Sequence, residues 1–152
     1  MPIEILVVED NEFKRKRIVE VLSNEFESAK ISECYSFTSA WQLIPERKYD
    51  LIVLDMSLPT FDKKESDSSG NFRVFGGKEL ARKLTKRKIT SQFIFISQYK
   101  NFSDDVNSYT FESLKNELIE KYKSKCLGFL YYSNTKSEWR DELILIVKGI
   151  SK

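Results

Sequence analysis

At 152 residues the chain has the length of one domain, enough to bury roughly two-thirds of its unfolded surface without staples. Its 25 basic and 23 acidic side chains are mixed along the chain and leave a net charge of +2, so no overall field recruits nucleic acid or an anionic membrane. Histidine is absent, which excludes an imidazole base, a histidine-containing triad and a histidine-ligated metal, and leaves chemistry to carboxylates, hydroxyls and lysine.

Cys34 and Cys126 stand far apart, without a second thiol at metal-ligand or redox spacing, as in a reduced cytoplasmic protein with two small buried thiols. The apolar run from Leu143 to Val147 is far too short to cross a bilayer. The start Met1-Pro2-Ile3-Glu4 lacks the basic and apolar segments of a signal peptide. Cytoplasmic localisation is the expectation.

In chain order, Ile3 to Val8 is an apolar run broken only by Glu4, and it ends on Glu9-Asp10. It reads as a strand with acid at its tip. A helical pattern follows from Asn11, with Ile18, Val21, Leu22 and Phe26 on one face and Lys14 to Arg17 on the other, expected as a solvated face. Ala29 to Tyr35 mixes polar and apolar residues as an edge strand does. Ser36-Phe37-Thr38 then offers helix caps to a short helix with Ala40, Trp41, Leu43 and Ile44, stopped at Pro45.

Leu51-Ile52-Val53-Leu54-Asp55 is four apolar residues without alternation, ending on a carboxylate. So short and apolar a run predicts a strand covered on both faces, in the middle of a parallel sheet. A long polar loop follows, roughly 60–76, containing Asp67-Ser68-Ser69-Gly70-Asn71. Gly76-Gly77 precedes a helix with Leu80, Ala81 and Leu84 inward. Phe93 to Ser97 is another buried strand, tipped by a hydroxyl. A second long connection, Gln98 to Tyr109, leads to a helix with Phe111, Leu114, Leu118 and Tyr122 in register.

Leu127 to Tyr132 makes the fifth strand. Thr135-Lys136-Ser137-Glu138 fits a capping box starting a last helix, whose buried stripe is Trp139, Leu143, Ile146, Val147 and Ile150. Five strands alternating with five helices predict an α/β fold, a flavodoxin-like (βα)5 three-layer sandwich with a parallel sheet of order 2-1-3-4-5. Neither an internal repeat nor a linker divides residues 1–152.

That order makes the first and third strands neighbours, so Glu9, Asp10 and Asp55 meet at the carboxyl edge, where open α/β sheets bind ligands. Three carboxylates in one crevice repel one another unless a cation lies among them. Oxygen ligands without His or Cys favour a hard ion, and one or two direct carboxylates plus water suit Mg2+.

Here the residues resemble the receiver domain of two-component response regulators, from Ile5 to about Ile150. Ile5-Leu6-Val7-Val8-Glu9-Asp10-Asn11 resembles the family's first strand and acidic pair. Leu51 to Asp55, with Pro59 four residues on, resembles its phospho-acceptor strand and following loop. Gly77-Lys78-Glu79-Leu80 resembles the start of its third helix, Ser97 falls at its Thr/Ser position, and Phe129 in Gly128-Phe129-Leu130 falls at its aromatic switch position.

The resemblance implies a receiver in a phosphorelay, a signalling domain rather than an enzyme, with at most self-phosphorylation and self-dephosphorylation; a stand-alone response regulator is the expectation. A histidine kinase or phosphotransfer protein would supply phosphohistidine to Asp55. The implied metal is Mg2+ on Asp10, Asp55 and the Ser57 carbonyl, with Glu9 acting through water. Ser97 and Phe129 would form the switch pair, passing the signal to an unidentified output protein by protein contact.

Two departures stand out. The family's lysine and proline after the fifth strand are replaced by Tyr132 and Ser133. Tyr132 offers one hydrogen-bond donor and no fixed charge. Lys136, Lys100 and Lys78 are candidates to substitute, and no spacing places one of them there. The loops at 60–76 and 98–109 are also long, and Phe61, Phe72, Phe75, Tyr99, Phe102 and Tyr109 offer a lid or docking surface. An alternative therefore stands beside phosphorylation: a pseudo-receiver acting as a protein interaction module. Other chemistries fit less well. No glycine-rich turn follows the first strand, and Ser57 stands where an aspartate phosphatase or a metal nuclease has its second Asp.

Overall fold

The computed structural model describes residues 2–62 and 72–150. Five strands form one parallel sheet: Glu4–Val8 (β1), Lys30–Cys34 (β2), Leu51–Asp55 (β3), Gln92–Ser97 (β4) and Cys126–Tyr131 (β5). Their order is β2-β1-β3-β4-β5, the doubly wound pattern expected from the alternation of elements. Helices Glu12–Glu25 (α1), Phe37–Leu43 (α2), Gly76–Lys86 (α3), Phe111–Tyr122 (α4) and Glu138–Ile150 (α5) cover its two faces.

The period of two along each strand sorts the core into two clusters. Leu6, Val8, Ile52, Leu54, Phe93, Phe95 and Phe129 pack against α2, α3 and α4. Ile5, Val7, Leu51, Val53, Ile94, Ile96 and Leu130 pack against α1 and α5. Every residue of β3 is buried. Removing Leu51, Ile52, Val53 and Leu54 from water contributes roughly 1.5–3 kcal/mol each, which is what lets the strand carry a buried acid at its end. The thiols of Cys34 and Cys126 are buried, and burial pushes their pKa values up to about 12 and about 11, so both stay protonated and inert.

The two long connections carry more regular structure than their composition predicts. After β3, Leu58–Pro59 pairs antiparallel with Phe72–Arg73 in a short ribbon. The stretch Asp67-Ser68-Ser69-Gly70-Asn71 lies outside the described residues. Between β4 and α4, Asn101–Ser103 pairs with Ser108–Thr110 as a hairpin. Its turn is closed by Asp104, whose Oδ1 accepts from the backbone N–H groups of Val106 (2.9 Å) and Asn107 (2.7 Å). Phe75 and Phe102 are buried and Tyr109 is half-buried, so these three pack the connections onto the domain, while Phe61, Phe72 and Tyr99 remain exposed.

Two helix expectations change. α5 begins at Glu138, so Thr135 lies outside it and does not form the expected capping box; its N–H is donated instead to Ser133 Oγ at 3.2 Å. The Lys14 to Arg17 run is not a uniformly solvated face. Lys16 is exposed and Arg15 and Arg17 are half-buried, but Lys14 is only 2% exposed. The buried residues of α1 are Lys14, Ile18 and Leu22, spaced by four, so the lysine continues the core stripe. Among the described residues no helix is long and apolar enough to cross a membrane.

Candidate functional site

Strand pairing builds the site. β1 and β3 run side by side in parallel, Val8 opposite Leu54, so the acids ending both strands emerge together. Continuing the alternation Ile5, Val7 and Leu51, Val53 places Glu9 and Asp55 on the face that α1 covers. One carboxylate oxygen from each of Glu9, Asp10 and Asp55 lies within 4.8 Å of the others. Glu9 and Asp55 are buried; Asp10 is half-buried.

α1 starts directly after the acids. Asn11 caps it, Oδ1 accepting from Lys14 N at 2.9 Å, while Glu9 Oε2 accepts from Asn11 N at 3.1 Å. This start turns the Lys14 side chain under the sheet edge. Its Nζ lies 2.6 Å from Glu9 Oε1 and 3.2 Å from Asp55 Oδ1. It also donates to Gln98 Oε1 at 2.8 Å and to the Ile96 carbonyl at 3.3 Å. Four oxygens thus surround an ammonium with three protons. The Glu9 contact is the shortest of the four.

One ammonium does not balance three carboxylates. Burial, and next the charge of Asp55, push Glu9 up to about 8, with Lys14 offsetting only part of the shift. Burial raises Asp55 as well, against the pull of Lys14. Asp10 is raised by burial and then by Glu9. For Lys14, burial works against the charge, but Asp55 and Glu9 together outweigh it and its pKa is raised. The crevice therefore has room for further positive charge, in protons or in a metal.

A hard divalent ion fits this donor set. The side-chain donors are all carboxylate oxygens, their ligand atoms converge, and the single Lys14 ammonium leaves their negative charge in excess. Ser57 is buried two residues after Asp55, and its hydroxyl donates to the Val74 carbonyl at 2.8 Å, tying the loop after β3 to the start of α3. Gly77 N donates to the Met56 carbonyl at 2.8 Å in the same junction.

Ser97 ends β4, one residue past Ile96, which pairs with Asp55. It is fully buried, and its Oγ accepts from Tyr99 N at 3.1 Å. Phe129 points into the core, with ring centroids 5.5 Å from Phe95, 4.7 Å from Phe111 on α4 and 6.4 Å from Phe102 on the hairpin. Tyr132 is 4% exposed, and its ring packs 5.0 Å from Trp139.

None of the three lysines considered as substitutes has an ion pair with Asp55 among the described residues. Lys78 pairs with Glu117 at 3.2 Å, Lys100 lies over the Tyr131 ring at 5.8 Å, and Lys136 is exposed. The residue that sequence reasoning missed is Lys14. Its signal was the spacing of four from Ile18 and Leu22.

Comparisons with known proteins agree with this fold. Over 143 residues the chain is 27% identical to the Detocs response regulatory protein DtcB of Enterobacter cloacae, covering 93% of this chain and 95% of that protein. It is 29% identical over 136 residues to protein y4jR of Sinorhizobium fredii, covering 89% and 90%. Among solved structures, the CheY-like response regulator receiver domain from Methylobacillus flagellatus superposes with a TM-score of 0.63 at 20% identity, covering 99% of each chain. The receiver domain of Francisella response regulator 1452 gives 0.58 at 24% identity, covering 97% of this chain and 94% of that one. The model of the response regulator receiver domain matches residues 5–121. With strand order, acidic crevice and family match in agreement, the chain belongs to the response regulator receiver domain family.

Proposed function

We propose that Asp55 accepts a phosphoryl group from a phosphohistidine on a histidine kinase or phosphotransfer protein, and that the phosphorylated domain signals by protein contact. The observation that carries this reading is the convergence of Glu9, Asp10 and Asp55 within 4.8 Å at the carboxyl edge of the sheet. Asp10, Asp55 and the Ser57 carbonyl would hold Mg2+, with Glu9 beside them. Bound there, the ion supplies the positive charge that lets an anionic donor approach an anionic nucleophile.

The chain's own residues do the rest. An Asp55 carboxylate oxygen forms the bond to phosphorus as the donor's P–N bond breaks. The electron pair leaves on the imidazole nitrogen, which takes up a proton. The product adds about two negative charges to a buried site. Ser97, at the end of the neighbouring strand, would turn its hydroxyl to the new oxygens, and Phe129 would respond within its aromatic cluster. The face formed by α4, β5 and α5 would carry the change to a partner.

A second reading has two observations in its favour: Lys14 already pairs with Asp55, and Tyr132 stands at the family's lysine position. In that reading the domain is a phosphorylation-independent docking module.

Intact mass after incubation with Mg2+ and acetyl phosphate, beside an Asp55→Asn control, separates the two. A labile adduct of one phosphoryl group on the wild type alone supports the first. Absence of both the adduct and Mg2+ binding removes it and leaves docking.

A further inference from the structure

We propose that Lys14, carried on α1, is the catalytic cation that meets the phosphoryl group on Asp55. The inference rests on the acceptor role of Asp55 and adds a residue from a different element of the fold to that site. Tyr132 cannot supply a fixed charge there. Its ring is part of the core beneath α1 and α5, and its hydroxyl is buried without a hydrogen-bond partner. Lys14 reaches the same place from the other side of the crevice, its Nζ 5.6 Å from the centre of the Tyr132 ring and 3.2 Å from Asp55 Oδ1. Among the described residues it is the cation ion-paired to Asp55.

Two features suit it to act on a phosphoryl group rather than only to neutralise resting carboxylates. The ammonium is held in place before any reaction, by the Asn11 cap at its backbone and by Gln98 Oε1 and the Ile96 carbonyl at its tip. A charge oriented in advance needs no reorganisation when negative charge develops beside it. A cleft of about 340 Å³ also opens beside it, lined by Asn11, Phe13, Gln98, Tyr132 and Ser133 among others, giving room on the lysine side of Asp55. On phosphorylation the ammonium keeps its three protons. It gives up the Ile96 carbonyl, the longest of its four contacts, to donate to a phosphoryl oxygen.

Beryllium trifluoride with Mg2+, an acyl-phosphate mimic, provides the test, read by the fluorine NMR signal of the bound species. The wild type is expected to bind it. Lys14→Met and Lys14→Gln are expected to lose at least about 10-fold in affinity, the size of one charge-assisted hydrogen bond. Lys14→Gln keeps a donor toward Ile96 and carries the test if the methionine variant does not fold. Lys14→Met with Tyr132→Lys, which returns an ammonium from the residue after β5, is expected to regain binding.

Mg2+ alone, followed by titration, should bind both single variants at least as tightly as wild type, because a competing cation has gone. Equal beryllium trifluoride binding by Lys14→Gln and wild type overturns the role of Lys14 and leaves Asp55 as acceptor. Loss of Mg2+ binding together with beryllium trifluoride binding in both variants makes Lys14 a structural prop, which also overturns it. If the wild type binds neither beryllium trifluoride nor a phosphoryl group, the acceptor reading falls and this inference falls with it.

Discussion

Gly77 approaches Asp55 so closely that a β-carbon on the glycine would lie 2.3 Å from the Asp55 carbonyl oxygen. The obstacle is backbone, which cannot swing aside as a flexible side chain does. The first turn of α3 must therefore rest against the last peptide of β3, and the acceptor strand ends at a fixed height. Gly77→Ala should cost about 1–3 kcal/mol in urea titrations, as overpacking does, and should also slow phosphorylation by shifting the end of β3. Wild-type stability in the alanine variant would mean that the helix start yields without strain.

The acidic crevice sets a pH dependence whose sign follows from Glu9. Its folded pKa, about 8, lies above the unfolded value of 4.5, so between these values the folded protein holds a proton that the unfolded chain has lost. Stability must then fall as pH rises through that window, with a limiting slope of about 1.4 kcal/mol per pH unit for one proton. The raised pKa of Asp55 acts in the same direction. Lys14 acts elsewhere: its contribution is fully present below its unfolded value of 10.5 and is lost only above it. Melting temperatures without metal should decline from pH 5 to pH 8, and Glu9→Gln should flatten the decline. A rise over that range would contradict the burial of an excess carboxylate.

The hairpin between β4 and α4 is held to the domain by Phe102, buried against Phe129. Phe102→Ala should cost about 2–4 kcal/mol and open the hairpin to limited proteolysis. Val106→Ala, at the exposed tip, should change neither quantity. Equal resistance to proteolysis in both variants would show that the backbone ladder alone holds the hairpin.

α4 begins with a capping box in which Thr110 Oγ1 accepts from Ser113 N at 3.1 Å and Ser113 Oγ accepts from Thr110 N at 2.9 Å. Thr110→Ala should cost about 1 kcal/mol, read as a lower urea midpoint at unchanged slope. Because Thr110 also closes the hairpin, amide exchange should quicken at both Phe111 and Phe102. Faster exchange in the helix alone would show that the two elements are not coupled.

Much of this was legible in the sequence because the signals were local. Leu51 to Asp55 announces a strand buried on both faces, and Ser36 announces the start of α2. The convergence of Glu9, Asp10 and Asp55 followed from the order of strands, which the alternation of elements restricts to few choices. The hairpin was harder to see because its turn, Asp104-Asp105-Val106-Asn107, uses an aspartate side chain to hold backbone N–H groups rather than an Asn-Gly or Asp-Gly pair. Lys14 was misread because a lysine within a basic run suggests solvent, although its spacing from Ile18 and Leu22 assigns it to the core. Only the crossing of α1 over the sheet edge reveals the carboxylates that make its burial tolerable.

The Ile96 carbonyl that touches Lys14 belongs to the same peptide unit as the Ser97 N–H. That unit is planar, so its carbonyl and its N–H move together about the two single bonds that flank it. Strand alternation puts Ile96 among the side chains under α1 and α5, and Ser97 on the opposite face with Phe95 and Phe129. The contact that the ammonium makes on the α1 side therefore falls on the peptide that leads into Ser97, the residue facing the aromatic cluster. The sheet, otherwise a wall between two separate interiors, is touched at this peptide by the cation of the site.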